Sequence, residues 1–105
     1  MTANTLMSVR DLSVSFGAGN FSVQALRDVE FDIPKGKTVC LVGESGCGKS
    51  VTARSILQIL GKNSRIDAGE ISYAEKDGAV VDIASNGDKS AEMRRIRGND
   101  ITMIF

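Results

Sequence analysis

Histidine does not occur among the 105 residues, so His-based acid–base chemistry is removed from this segment. Charge of one sign is lacking as well. Thirteen Lys and Arg balance thirteen Asp and Glu, and nothing points to non-specific nucleic-acid binding. No apolar run approaches the length of a membrane span, and the N-terminus MTANTLMSVR has no signal-peptide core. A cytosolic placement is expected, with docking on a membrane protein left open. Cysteine is sparse. Cys40 and Cys47 lack metal-site spacing, so reduced thiols are expected. Cys40 reads as core. Cys47 reads as a small side chain in a loop, although a thiol at a helix N-terminus can become reactive. There is no internal repeat and no low-complexity segment. The length suits one small domain or part of a larger one, and 42% hydrophobic with 25% charged residues is ordinary for a globular protein.

What is present centres on Gly43, Glu44, Ser45, Gly46, Cys47, Gly48, Lys49 and Ser50. These residues fit G-x-x-x-x-G-K-[ST], the phosphate-binding loop. Residues 39–42 precede it as an uninterrupted apolar run, the pattern of a buried parallel strand. Ala53, Ile56, Leu57 and Leu60 follow at helical spacing, with Gly61 as the expected stop. The motif needs that order of strand, loop and helix. A polyphosphate requires several donors converging on one place. Glycine lets successive backbone N–H groups turn inward, and the next helix offers its unpaired N–H groups and positive dipole end. Lys49 adds a mobile charge for the β- and γ-phosphates, and Ser50 a hydroxyl for Mg²⁺. The loop reads phosphates and not the base, so ATP and GTP stay open.

Along the chain, residues 1–8 read as a loose end. Leu12, Val14 and Phe16 alternate with serines as a half-buried strand, and Val29, Phe31 and Ile33 form a second, closed by Pro34 and Gly36. Two such strands imply an antiparallel piece. Residues 63–68 read as a connection and residues 69–73 as a short strand. Asp77-Gly78 marks a hairpin, returning through Val80, Val81 and Ile83. Asn86-Gly87-Asp88 is another turn. Ser90 is the expected cap of a helix running to Arg97, with Gly98 ending it. Arg94, Arg95 and Arg97 read as a solvated face. Residues 101–105 read as a strand.

These features resemble the N-terminal part of an ATP-binding-cassette transporter nucleotide-binding domain. An antiparallel sheet of about thirty residues precedes the phosphate loop, unlike most P-loop kinases and GTPases. The phrases LSVSF and ALRDVEFDIPKGKTVCLVGESGCGKS carry the family resemblance; GESGCGKSVTARSILQIL, GEIS and RRIRGNDITMIF are similar to its peptide-importer branch. The resemblance implies an α/β P-loop NTPase fold in part, spanning residues 1–105: an antiparallel β-subdomain with strand, loop and helix, without the helical subdomain and later core strands. It implies ATP and Mg²⁺ as ligands. Residues 43–50 and the adjoining Val51 would bind nucleotide, Ser50 the metal, and Phe16 would stack on the base, with Phe21 as the alternative. It implies permease subunits and a second nucleotide-binding domain as partners, and a peripheral place on the inner face of the cell membrane. The family's signature sequence, acidic Mg²⁺ strand, catalytic glutamate and switch histidine have no match here, and its glutamine would follow Phe105. The implication is a fragment of an ATPase subunit with its general base elsewhere. Two other readings stand beside it: a P-loop kinase or GTPase, and a truncated product without function.

Overall fold

The computed structural model describes residues 3–17, 22–42, 48–61, 63–85 and 90–104. Strand β1 is Thr5–Phe16, β2 is Val23–Pro34, β3 is Ser64–Ala74 and β4 is Val80–Asp82. They form one antiparallel sheet in the order β2-β1-β3-β4. Helix α1 spans Lys49–Leu57 and helix α2 spans Ala91–Ile96, with a 3-10 turn at Ile83–Ser85 after β4.

β1 is the centre of the sheet because it pairs on both sides. Met7 and Val9 are buried, and so are Leu12 and Val14, which are in the opposite alternation. A strand can bury both sets on one face only if a residue is added between them, because side chains alternate with period two. The bulge lies between Val9 and Leu12, where Asp11 takes the left-handed region at φ 51°. β2 answers with Asp28 at φ 52°. β3 crosses the same level at Gly69, φ 111°, where an added Cβ would lie 2.6 Å from the Asp11 carbonyl oxygen and 2.6 Å from the Leu12 Cα. Only glycine fits that approach. The three strands therefore share one crease.

The core joins Met7, Val9, Leu12, Val14, Leu26 and Ile71 from the sheet to Ile83, Met93 and Ile96 from the segments packed on it. Ser90 caps α2 as expected, its hydroxyl accepting from the Met93 N–H at 3.2 Å. That helix ends at Ile96, with Arg97 as its cap and Gly98 left-handed at φ 87°. The Asp77-Gly78 hairpin also forms. The Asp77 carboxylate accepts from the Ala79 N–H at 2.9 Å, and the Gly78 N–H donates to the Glu75 carbonyl at 3.0 Å.

Several expectations are corrected. Residues 5–8 are no loose end: Met7 pairs with Ile33 and Tyr73 and is 4% exposed. Residues 64–68 are no connection, since Ile66 pairs with Val14 and Ser64 with Phe16. The strand after the hairpin stops at Asp82, and Ile83 enters the 3-10 turn. Helix α1 stops before Gly61, at Gln58 in the left-handed region (φ 55°), with the Ile59 N–H donating to the Arg54 carbonyl at 3.0 Å. Residues 39–42 form no strand, and Cys40 is exposed rather than core. Residues 102–104 are likewise outside any strand, and Ile101 makes a single parallel bridge, to Arg97. A parallel strand needs neighbours to hydrogen-bond, and no described strand lies alongside these segments. The turn expected at residues 86–88 lies outside the described residues.

Candidate functional site

The site is built from the first turn of α1 and the end of the β1–β2 pair where Phe16 pairs with Val23. Gly48 is the residue before the helix, in the left-handed region at φ 93°. A Cβ there would lie 2.5 Å from Leu26 Cδ2, so the loop enters the helix pressed against the sheet. Thr52 holds this entry in place. Its N–H and its hydroxyl both donate to the Gly48 carbonyl, at 2.9 and 2.8 Å. Thr52 and Ser55 are buried; Ser55 stays so by donating its hydroxyl to the Val51 carbonyl at 2.7 Å.

The N-terminus of α1 has two further properties. Among the described residues no side chain caps it, and no acidic residue stands in its first turn. A helix ordinarily satisfies some of its first N–H groups with Ser, Thr, Asp or Asn at the cap. Left uncapped and without a carboxylate, these N–H groups and the positive end of the dipole suit an external anion.

Gly48, Lys49, Ser50 and Val51 line a cavity of about 560 Å³ together with Phe16, Val23, Gln24 and Ala25. Phe16 is half-buried at the end of β1, where it pairs with Val23 across the strands. Ser50 is exposed, Lys49 half-buried, and Val51 packs against the core. Phe16 and four of the nine expected residues of the 43–51 run are thus gathered in one place. Gly43, Glu44, Ser45, Gly46 and Cys47, and the alternative Phe21, lie outside the described residues. Among the described residues no group of three or more His, Cys, Asp or Glu side chains could hold a metal. Ser50, the residue expected to meet Mg²⁺, lines the first cavity.

The opposite end of α1 was not legible in the sequence. The Gln58 carboxamide donates to the Ile83 carbonyl at 2.8 Å, and the Arg97 Nε donates to the Leu57 carbonyl at 2.9 Å. Arg97 is half-buried, unlike the exposed Arg94 and Arg95 on the solvated face. Arg95 is ion-paired with Glu75. A second cavity, of about 650 Å³, lies between Ile56 of α1, Ile33, Tyr73 and Ile101. At its edge the Tyr73 hydroxyl donates to the Asp100 carboxylate at 3.2 Å. Burial raises the Tyr73 phenol above its ordinary value, and Asp100 adds to the rise. Among the described residues no helix is long and apolar enough to cross a membrane.

A family model described as ABC transporter matches residues 26–104. A dipeptide transport ATP-binding protein of Bacillus subtilis is 48% identical over 101 residues, covering 95% of this chain and 28% of that protein. A dipeptide transport ATP-binding protein of Lactococcus lactis is 38% identical over 105 residues, covering 100% of this chain and 28% of its own. A glutathione import ATP-binding protein of Salmonella choleraesuis is 34% identical over 106 residues, covering 100% of this chain and 17% of its own. The chain thus spans 28% of the length of the first two relatives.

Proposed function

Since this chain belongs to the ABC transporter family, we propose that it is the N-terminal, nucleotide-binding part of the ATPase subunit of a peptide importer. One observation carries the reading. The start of α1, with no cap or first-turn carboxylate among the described residues, shares a cavity with an aromatic residue, Phe16. A helix N-terminus takes phosphate, and an aromatic ring takes a base, so one cavity suits both ends of a nucleotide.

The residues divide the work by chemistry. Residues 43–48 and the N–H groups of Lys49, Ser50 and Val51 would cradle the β-phosphate region. The Lys49 ammonium would reach the β- and γ-phosphates as a point charge. Ser50 would offer its hydroxyl to Mg²⁺, which neutralises phosphate charge when bound. Phe16 would stack on the base, an interaction of roughly 1–3 kcal/mol in nucleic-acid sites. The general base would lie outside this chain, so the 105 residues would bind ATP without turning it over. The relatives named for dipeptide transport support peptides as the cargo of the intact system. Its partners would be permease subunits and a second nucleotide-binding domain, with the subunit peripheral on the cytoplasmic face of the membrane. The family match over residues 26–104 speaks against a P-loop kinase or GTPase.

Isothermal titration of Mg²⁺-ATP into this chain and into Lys49→Ala, with a phosphate-release assay alongside, tests the reading. Binding weakened by at least about tenfold in the variant, with no turnover, is expected. Turnover above background would place a catalytic base among these residues. Absence of binding by the unaltered chain would leave a truncated product without function.

A further inference from the structure

We propose that Arg97 is a positioning residue that ties the closed end of α1 to the turn at residues 97–101, so that a nucleotide seated at the open end of the helix is felt by residues 98–104. The inference rests on the nucleotide site proposed above and extends it to the far end of the helix.

The last carbonyls of a helix have no partner within it. At the end of α1, the Leu57 carbonyl receives the Arg97 Nε at 2.9 Å across 40 residues of sequence. A guanidinium suits this position in two ways. It can only donate, and it is cationic at the negative end of the helix dipole. Arg97 is also the cap of α2, its own N–H donating to the Met93 carbonyl at 2.9 Å. One residue therefore terminates both helices.

The segment after Arg97 hangs from the same point. The Ile96 carbonyl accepts from the N–H groups of Asp100 and Ile101, at 2.9 and 3.1 Å. The Gly98 N–H donates to the Ile101 carbonyl at 2.9 Å, and Ile101 bridges Arg97. Ile101 and Ile56 of α1 both line the second cavity. The far end of α1 is thus joined to the turn by the polar tether from Arg97 to the Leu57 carbonyl. Its near end, Gly48 to Val51, lines the first cavity. A rigid helix of nine residues joins the two ends. An anion bound at the near end stiffens the first turn. The far end passes that to the 97–101 turn through the Arg97 tether.

The other tether, from Gln58 to the Ile83 carbonyl, leads to the 3-10 turn and not to residues 98–104. It is the internal control. A residue that merely stabilises the fold would affect the sheet and the turn alike, whichever tether is cut.

The test is amide hydrogen exchange by mass spectrometry on the full chain, with and without saturating Mg²⁺-ATP. Titration calorimetry on the same samples establishes occupancy. The unaltered chain is expected to exchange at least about threefold more slowly over residues 98–104 when ATP is bound. Arg97→Gln is expected to bind ATP with affinity within about threefold of the unaltered chain, yet to lose that slowing. Gln58→Ala is expected to keep it. Arg97→Lys, which keeps charge and donor, is expected to retain part of it, and it serves if the glutamine variant does not fold. ATP binding without slowing at residues 98–104 in the unaltered chain would overturn the tether alone, as would slowing that survives Arg97→Gln. No ATP binding by the unaltered chain would overturn the nucleotide site and the tether together.

Discussion

Residues 64–68 are polar and lie in the sheet, whereas residues 38–42 are apolar and lie outside it. The first stretch includes Arg65 and Asp67, an exposed ion pair at 2.8 Å, and Ile66 packs against the core. The second includes Val39, Leu41 and Val42, which are 39%, 45% and 89% exposed. What separates them is the edge each one meets. β1 offers unpaired N–H and C=O groups beside residues 64–68, and pairing satisfies both backbones. Residues 38–42 have no such edge beside them among the described residues. Apolar side chains favour burial, but a strand is a two-partner object, and burial without a ladder leaves backbone groups unsatisfied.

The contrast can be broken or sharpened by experiment. The largest effect is expected where the sheet depends on one backbone approach. Gly69→Val forces a side chain into a left-handed residue 2.6 Å from the neighbouring strand, which should cost about 3 kcal/mol or more, seen as loss of cooperative urea unfolding. Next, Leu12→Ala removes a side chain that is 0% exposed and should cost about 3 kcal/mol. Val42→Lys should change stability by less than about 0.5 kcal/mol while lowering self-association in sedimentation velocity. Equal losses of stability in the two would erase the distinction between the regions. A smaller effect belongs to Ser90→Ala, which removes the α2 cap and should cost about 1 kcal/mol in the same unfolding assay.

The smallest effect is electrostatic, on the solvent face of the sheet. The Ser8 hydroxyl, followed by the Arg10 guanidinium, lowers the Asp32 carboxyl below its ordinary 3.8. A carboxyl depressed by folding contributes stability that is present in full above its unfolded value and is lost as pH falls through the folded one. Asp32→Asn should therefore lower stability slightly at neutral pH, leave it nearly unchanged at acid pH where the carboxyl is protonated in both states, and so flatten the acid side of the profile. The glutamate beside it runs the other way. Glu30 is raised, chiefly by its hydrogen bond with Asp11, so it offsets part of that slope.

Local chemistry was legible where one or two residues decide it. The Asp77-Gly78 hairpin and the Ser90 cap need no distant partner to be read. The alternations around Leu12 and Phe31 were readable for the same reason. Their extents were not, because Thr5 and Val23 join strands through pairings that no local pattern announces. The crease was hidden for a related reason. Asp11, Asp28 and Gly69 lie far apart in sequence and acquire meaning only side by side. At the candidate site, the glycine loop, Lys49 and Ser50 were found from the motif. Phe16 came from resemblance, and the cavity it shares with Ser50 is a fact of folding. Arg97 looked like its exposed neighbours, and only the 40-residue reach to Leu57 sets it apart.

Gly48 carries a consequence of its own. Its missing side chain is the space that Leu26 Cδ2 fills. The hydrophobic interior and the N-terminal end of α1 therefore meet at Gly48. Substitutions at Leu26 and Gly48 are then coupled rather than additive, and a change in the interior is felt at the first turn of α1. Tolerance to mutation at Gly48 is set in part from behind, by the packing of the small sheet.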